Sequence, residues 1–115
     1  MKALRSHAVG GPDTLTLDEV ESPVPGPGQV RVRVKACSIN FPDVLIIQDL
    51  YQFKPPRPFA PGGEASGVVD AVGEGVTRWK VGDRVIASTG NGGLSEEIVV
   101  DAARLWALPD YASFE

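Results

Sequence analysis

The sequence is poor in residues that bind metals or form cross-links. Its 115 residues include one cysteine, Cys37, and one histidine, His7. One cysteine excludes an intramolecular disulfide, and these two residues cannot supply the four Cys/His ligands of a structural zinc site. A catalytic zinc would have to combine both with a carboxylate such as Glu64, and no ligand-like spacing supports that set. The sequence therefore predicts no metal site and a reducing compartment.

Long apolar runs and an excess of positive charge are also missing. No apolar stretch reaches the roughly 20 residues that a membrane span requires. Arg5 and His7 interrupt the N-terminus before the apolar core of a signal peptide could form. The net charge of -4 disfavours nucleic acid or an anionic membrane as a partner. We expect a cytoplasmic protein that binds neither, with the few local cations, such as Arg57, in a solvated loop.

Glycine and proline are abundant, with 13 and 10 copies. Such a high content of turn-forming residues is typical of short strands joined by turns. The length suits one domain over residues 1–115. The clearest strand is residues 29–36, where apolar residues alternate with Arg31, Arg33 and Lys35. Period two predicts a half-buried strand whose cations face solvent. We prefer this interpretation to a nucleic-acid surface because the chain is acidic.

Six further strands are predicted, at residues 1–7, 14–20, 65–72, 84–87, 95–100 and 104–108. A short helix is predicted over residues 41–48, where Pro42 and Asp43 suit the first turn. Its apolar residues predict burial on nearly all sides, and a proline-rich loop follows. The fold class is therefore mainly β: an antiparallel, partly open β-barrel with one or two short helices.

Two glycine-rich segments invite comparison with phosphate-binding loops. Residues 73–78 begin like a dinucleotide fingerprint, but Arg78 replaces the third glycine and no amphipathic helix pattern follows. Residues 90–93 precede a predicted strand. Because the fingerprint requires a strand, a glycine turn and a helix in succession, we predict simple turns and no Rossmann cofactor site in this chain.

The block PGGEASGVVDAVGEGV at residues 61–76, followed by VGDRV at 81–85, resembles the catalytic domain of medium-chain dehydrogenases/reductases. In the zinc enzymes of that superfamily, a histidine ligand stands at the position of Gly63 and a cysteine ligand at that of Asn40. A lobe of four cysteines expected after residues 82–85 is absent. Asn40, with Asp43 three residues later, is similar to the zinc-independent quinone oxidoreductases, as are residues 93–100.

This resemblance implies the GroES-like, substrate-side domain of a zinc-independent quinone or enone oxidoreductase. It implies NADPH as cofactor, held mainly by a Rossmann domain absent from this chain, and a homodimeric full-length enzyme. It also implies a small-molecule quinone or enone as substrate. The chain alone is expected to be inactive. Two alternatives stay open: a free-standing GroES-like binding or assembly module, and the domain of a zinc-type alcohol dehydrogenase.

The resemblance also assigns roles to two residues. It places Asn40 near the nicotinamide and its ribose, and Tyr51 near the substrate. An activated carbonyl needs only hydrogen-bond donors where negative charge develops, which an amide and a phenol can supply. A second tyrosine found in some family members is replaced by Leu45. From the residues alone, Asn40 could instead cap the helix and Tyr51 could pack in the loop.

Three other polar residues are assigned structural roles. Glu64 matches a glutamate near the metal in the zinc enzymes, and without metal we expect it to form a hydrogen bond or ion pair. Asp43 is interpreted as a helix-start residue rather than a base. His7 is interpreted as structural.

Overall fold

The computed structural model describes every residue from Met1 to Glu115 and is built mainly of short strands. Each predicted strand is present with small shifts of its ends, and there is one α-helix. The strands are β1 Lys2–Ser6, β2 Leu15–Glu19, β3 Gln29–Cys37, β4 Glu64–Val72, β5 Arg84–Ser88, β6 Glu97–Asp101 and β7 Leu105–Ala107. The helix is α1 Phe41–Ile46, and single 3-10 turns cover Pro12–Thr14 and Ala102–Arg104.

All strand pairs are antiparallel and form two sheets. Five strands lie in the order β6-β3-β4-β5-β7, and β1 and β2 form a separate hairpin. Single bridges, Ala3 with Ser95 and Ser6 with Phe59, tie the hairpin to neighbouring loops. Strands β6 and β7 remain edges, so the expected mainly β, partly open architecture is confirmed.

The core lies under the five-stranded sheet, with β3 near its centre. The alternation predicted for this strand is observed, because Val30 and Val32 are fully buried while Arg33 is exposed. Full burial of such a side chain contributes about 1.5–3 kcal/mol. The core residues are Val30, Val32, Ala65, Val69, Trp79, Val85, Ala87, Ile98, Val100 and Leu105.

The cations of β3 face acidic residues of the adjacent strands. Arg31 Nε lies 2.8 Å from Asp70 Oδ1 on β4 and 3.2 Å from Glu97 Oε2 on β6. The hydrogen bond to Asp70 raises the pKa of the Arg31 guanidinium. Arg33 is mostly exposed, 3.9 Å from Asp70. These are cross-strand pairs on a solvated face, as predicted, and not a free basic stripe.

The glycine turn after β4 is explained by backbone packing. A Cβ at Gly73 would lie 1.9 Å from Gly26 O, and the Gly73 amide donates to Gln29 O at 2.7 Å. No helix follows this turn. The predicted turn is therefore confirmed, and the lack of a side chain at Gly73 lets this turn approach the segment at Gly26 closely.

The helix α1 lies at the surface, so the expected burial on nearly all sides is wrong. Ile46 and the following Ile47 are buried against Phe59 in a small cluster separate from the core. Phe41 is 73% exposed, and Val44 is exposed as well. Because a six-residue helix beside a sheet can pack along one stripe only, its remaining apolar residues face outward. No helix here is long and apolar enough to span a membrane.

Candidate functional site

Three chain segments meet beyond the end of β3: the turn into α1, the Gly62–Gly63 pair and the loop of residues 89–94. Backbone hydrogen bonds join the last two. Gly93 donates to Gly62 O at 2.9 Å, and Thr89 donates to Gly63 O at 2.8 Å. The Thr89 hydroxyl also donates to Gly62 O at 2.9 Å. These bonds hold the two segments as one unit.

Gly62 has no room for a side chain, whereas Gly63 does. Gly62 has φ +103°, and a Cβ there would lie 2.8 Å from Cys37 Sγ and 2.9 Å from Leu94 N. The nearest atom to a Cβ on Gly63 is Gly90 O, at an ordinary contact distance of 3.4 Å. A Cβ is therefore sterically allowed at the position where the zinc enzymes of the resembling family carry histidine.

Asp43 links the start of α1 to Gly62. Its carboxylate is buried, accepting the Gly62 amide at 3.0 Å through Oδ1 and the Asn40 amide at 2.8 Å through Oδ2. Both are charge-assisted bonds, and a carboxylate is favourable in the first turn of a helix. The helix-start role is confirmed. The bond to Gly62, 19 residues away, was not indicated by the sequence.

Asn40 occupies the N-cap position of α1, with φ -124° and ψ 168°. Its side chain is exposed, and Nδ2 donates to Ser38 Oγ at 3.0 Å. The capping interpretation of Asn40 is therefore confirmed by position. The exposed amide is also open to a ligand, and its role near a nicotinamide stays a prediction.

Tyr51 lies in the loop beyond the other end of the helix. Its half-buried ring packs against the cluster of Ile46, Ile47 and Phe59. The helix between Asn40 and Tyr51 is about 9 Å long at 1.5 Å per residue, and no hydrogen bond joins the two residues. The packing interpretation of Tyr51 is confirmed, while its contact with substrate stays a prediction.

The open clefts of the surface lie elsewhere. Three clefts measure about 480, 400 and 450 Å³, and neither Asn40 nor Tyr51 lines any of them. The one nearest to Asn40 lies beside Cys37, Ser38 and Glu64. Both predicted site residues therefore lie outside these three clefts.

Cys37 and Glu64 differ in how well they were predicted. The Cys37 thiol is half-buried against Gly62 and Gly93, and burial, followed by the charges of Asp43 and Glu64, raises its pKa to about 11. The predicted unreactive thiol fits this environment. The hydrogen bond or ion pair expected of Glu64 is wrong, because its side chain is exposed at the start of β4 with neither a hydrogen-bond partner nor a cation within salt-bridge distance. No three Cys, His, Asp or Glu side chains are grouped to hold a metal ion.

Arg57 is a structural residue that the sequence did not indicate. Its side chain is only 18% exposed, so the expected solvated position is wrong. It donates to Ser6 Oγ at 3.1 Å, Asp49 Oδ1 at 2.8 Å and Ile47 O at 2.9 Å. Because Ser6 is 51 residues away in the chain, local pattern could not reveal this contact.

His7 directly follows β1, in the connection of the β1–β2 hairpin. Its Nε2 is 2.6 Å from Asp18 Oδ2, and Arg5 Nε is 2.7 Å from the same oxygen. The hydrogen bond to His7, then that to Arg5, lowers the pKa of the Asp18 carboxyl to about 2. The structural interpretation of His7 is confirmed.

Comparison with known proteins agrees with this architecture. The family model of the alcohol dehydrogenase GroES-like domain matches residues 26–110. The rat synaptic vesicle membrane protein VAT-1 homolog is 45% identical over all of this chain and 29% of its own length.

Two solved structures are similar in both sequence and fold. A quinone oxidoreductase of Pseudomonas syringae is 44% identical with a TM-score of 0.92, over 98% of this chain and 35% of that one. The Escherichia coli quinone oxidoreductase complexed with NADPH is 35% identical with a TM-score of 0.93, over 99% of this chain and 35% of that one.

The chain spans about a third of the length of these relatives. Its matched residues include β3 to β7, α1 and the Gly62–Gly63 segment. The chain therefore belongs to the alcohol dehydrogenase GroES-like domain family, among the zinc-independent quinone oxidoreductases and VAT-1 homologs of the medium-chain dehydrogenases/reductases.

Proposed function

We propose that residues 1–115 form the substrate-side domain of an NADPH-dependent, zinc-independent reductase of quinones or enones. One observation carries the proposal. Where zinc enzymes of the superfamily place two ligands, this chain has the exposed side-chain amide of Asn40, whose backbone N–H is held by Asp43, and Gly63, where a Cβ would fit but none is present. We extend the proposal to a cytoplasmic homodimer of the full-length protein, as the resemblance implies.

The residues of this chain suit the nicotinamide end of NADPH rather than its phosphates. The glycines after β4 serve backbone packing and do not open a helix, so phosphate binding would fall to other residues. The exposed Asn40 amide offers one acceptor and two N–H donors, one of which already binds Ser38. In the proposal it hydrogen-bonds the nicotinamide or its ribose. The bound cofactor supplies the hydride.

Tyr51 is proposed to donate its phenolic hydrogen bond to the substrate oxygen on which negative charge develops. Such a donor stabilises the transition state more than the ground state, which is what accelerates the reaction. A quinone is already a strong electrophile, so this interaction can replace a Lewis acid. The exposed apolar side chains of Ile39, Phe41 and Leu50, at either end of α1, suit a flat aromatic substrate.

The test uses the full-length protein that contains this chain. We expect it to oxidise NADPH when 1,4-benzoquinone is added, at a rate unchanged by a chelator, with far less than one zinc per chain by elemental analysis. The 115-residue chain alone is expected to oxidise no NADPH. Stoichiometric zinc with chelator-sensitive turnover would refute the metal-free mechanism, and absence of any quinone-dependent turnover would refute the function.

A further inference from the structure

We propose that Arg57 is a positioning residue that fixes Tyr51 by capping the C-terminal end of α1. The inference rests on the proposed function in one respect, the catalytic use of Tyr51. The structural part of the inference, that Arg57 holds the segment carrying Tyr51, does not depend on whether Tyr51 acts in catalysis. Four contacts around the end of the helix carry it.

The chain leaves α1 through a left-handed residue that is not glycine. Leu50 donates to Leu45 O at 3.0 Å and Asp49 to Ile46 O at 3.4 Å, the bond pattern of a Schellman motif. The left-handed position is Asp49, with φ +56°. Glycine is usual there, so the side chain at this position needs support from outside the helix. The course of the chain into Tyr51 depends on this turn.

Arg57 provides that support with its whole guanidinium. It pairs with Asp49 at 2.8 Å and donates at 2.9 Å to the Ile47 carbonyl, which also accepts the Gly10 amide at 3.1 Å. A cation at this end of a helix also opposes the partial negative charge of the last carbonyls. Only the planar fork of an arginine can serve the carboxylate and the carbonyl together.

The same guanidinium is anchored to the rigid part of the fold. It donates to Ser6 Oγ at 3.1 Å, and Ser6 is fully buried at the end of β1. The backbones of Ser6 and Phe59 exchange hydrogen bonds of 2.7 and 3.2 Å. Arg57 also lies 5.3 Å above the ring of Phe59, a member of the cluster against which Tyr51 packs. One side chain thus connects β1, the end of α1 and the surface that supports Tyr51.

The experiment measures the position of Tyr51 and its kinetic effect separately, in the full-length protein. With 3-fluorotyrosine incorporated, the ¹⁹F resonance of Tyr51 is assigned by its loss in Tyr51→Phe. We expect Arg57→Met to shift this resonance towards the value of an exposed fluorotyrosine. The control is Arg78→Met, since Arg78 lies 5.2 Å above the Trp79 ring but makes no contact with α1. We expect that variant to leave the resonance in place.

The kinetic arm is a double-mutant cycle in kcat/KM for 1,4-benzoquinone. Arg57→Met is expected to lose about tenfold alone and almost nothing further in a Tyr51→Phe background, because its effect passes through Tyr51. If Arg57→Met folds poorly, Arg57→Lys, which keeps the charge but not the fork, takes its place. An equal loss in both backgrounds, or an unmoved ¹⁹F resonance, overturns the inference. Absence of quinone turnover in the unmutated protein refutes the proposed function alone, because the ¹⁹F arm still decides the position.

Discussion

The two ends of α1 are held by opposite means. At the N-terminal end the buried Asp43 carboxylate receives the amides of Asn40 and Gly62, and glycine backbones pack without free space around Cys37. At the C-terminal end a long side chain, Arg57, reaches the carbonyl of Ile47, the residue that follows the helix, from a neighbouring loop. The negative charge of Asp43 lies at the positive, N-terminal end of the helix dipole, and the positive charge of Arg57 lies at its negative, C-terminal end.

This difference indicates how each end should respond to substitution. The N-terminal end is fixed by backbone contacts, so changes there should cost stability and shift Asn40 at the same time. At the C-terminal end Arg57 adds to a few backbone hydrogen bonds at the surface, so its substitution should move Tyr51 while the fold persists. The predictions below test that contrast, beginning with the largest effect.

Gly62→Ala should be the most damaging substitution. It combines a left-handed backbone with a Cβ only 2.8 Å from Cys37 Sγ, and together these should cost about 3 kcal/mol or more in the free energy of unfolding. Gly63→Ala is the matched control, since its nearest contact is 3.4 Å, and should change stability by less than about 1 kcal/mol. Denaturant unfolding followed by tryptophan fluorescence measures both. Equal losses would show that the packing around Gly62 is not restrictive.

Asp43→Asn should weaken the N-terminal end next. The amide that replaces one carboxylate oxygen cannot accept a hydrogen bond, so either Asn40 or Gly62 loses a partner in a buried position. We expect a loss of about 2–3 kcal/mol in unfolding free energy. The exposed Asp13 serves as control, and Asp13→Asn should be neutral. An unchanged midpoint for Asp43→Asn would contradict the linking role.

How far the sequence predicted these ends follows from the range of the interactions. Pro42 and Asp43 predicted the start of α1, because capping acts within one helical turn. The alternating valines of β3 predicted the core, because alternation is a local pattern. The bond from Asp43 to Gly62 and the contacts of Arg57 join segments distant in the chain, so no local pattern contained them. The contact expected for Glu64 was wrong for the same reason, because it required a partner from a distant segment and the fold places none beside this carboxylate.

Asp49→Gly should have a small effect on stability but a visible one on Tyr51. Glycine relieves the left-handed strain, which roughly offsets the loss of a partly exposed ion pair, so we expect a change within about 1 kcal/mol. The ¹⁹F resonance of Tyr51 should move in the same direction as in Arg57→Met, by less. A large loss of stability with an unmoved resonance would mean that this ion pair supports the fold rather than the loop.

The Cys37 thiol should show the smallest effect, limited to alkaline pH. Its pKa of about 11 in the folded chain exceeds the ordinary value of 9.0, so the folded state retains its proton longer than the unfolded state. This contribution to stability is therefore constant below about pH 9 and decreases between about pH 9 and 11. Alkylation of Cys37 by iodoacetamide should still accelerate above pH 10. A plateau by about pH 10 would indicate an accessible thiol of ordinary acidity.

The central claim is that an amide at the N-terminal end of α1 acts where related enzymes use a metal. The most direct measurement is kcat/KM for 1,4-benzoquinone of Asn40→Ala in the full-length protein, against Asp13→Ala, which changes an exposed residue of the Pro12–Thr14 turn. We expect Asn40→Ala to lose on the order of 100-fold at similar thermal stability, and Asp13→Ala to match the unmutated protein. Activity of Asn40→Ala equal to that of the unmutated protein would contradict the claim.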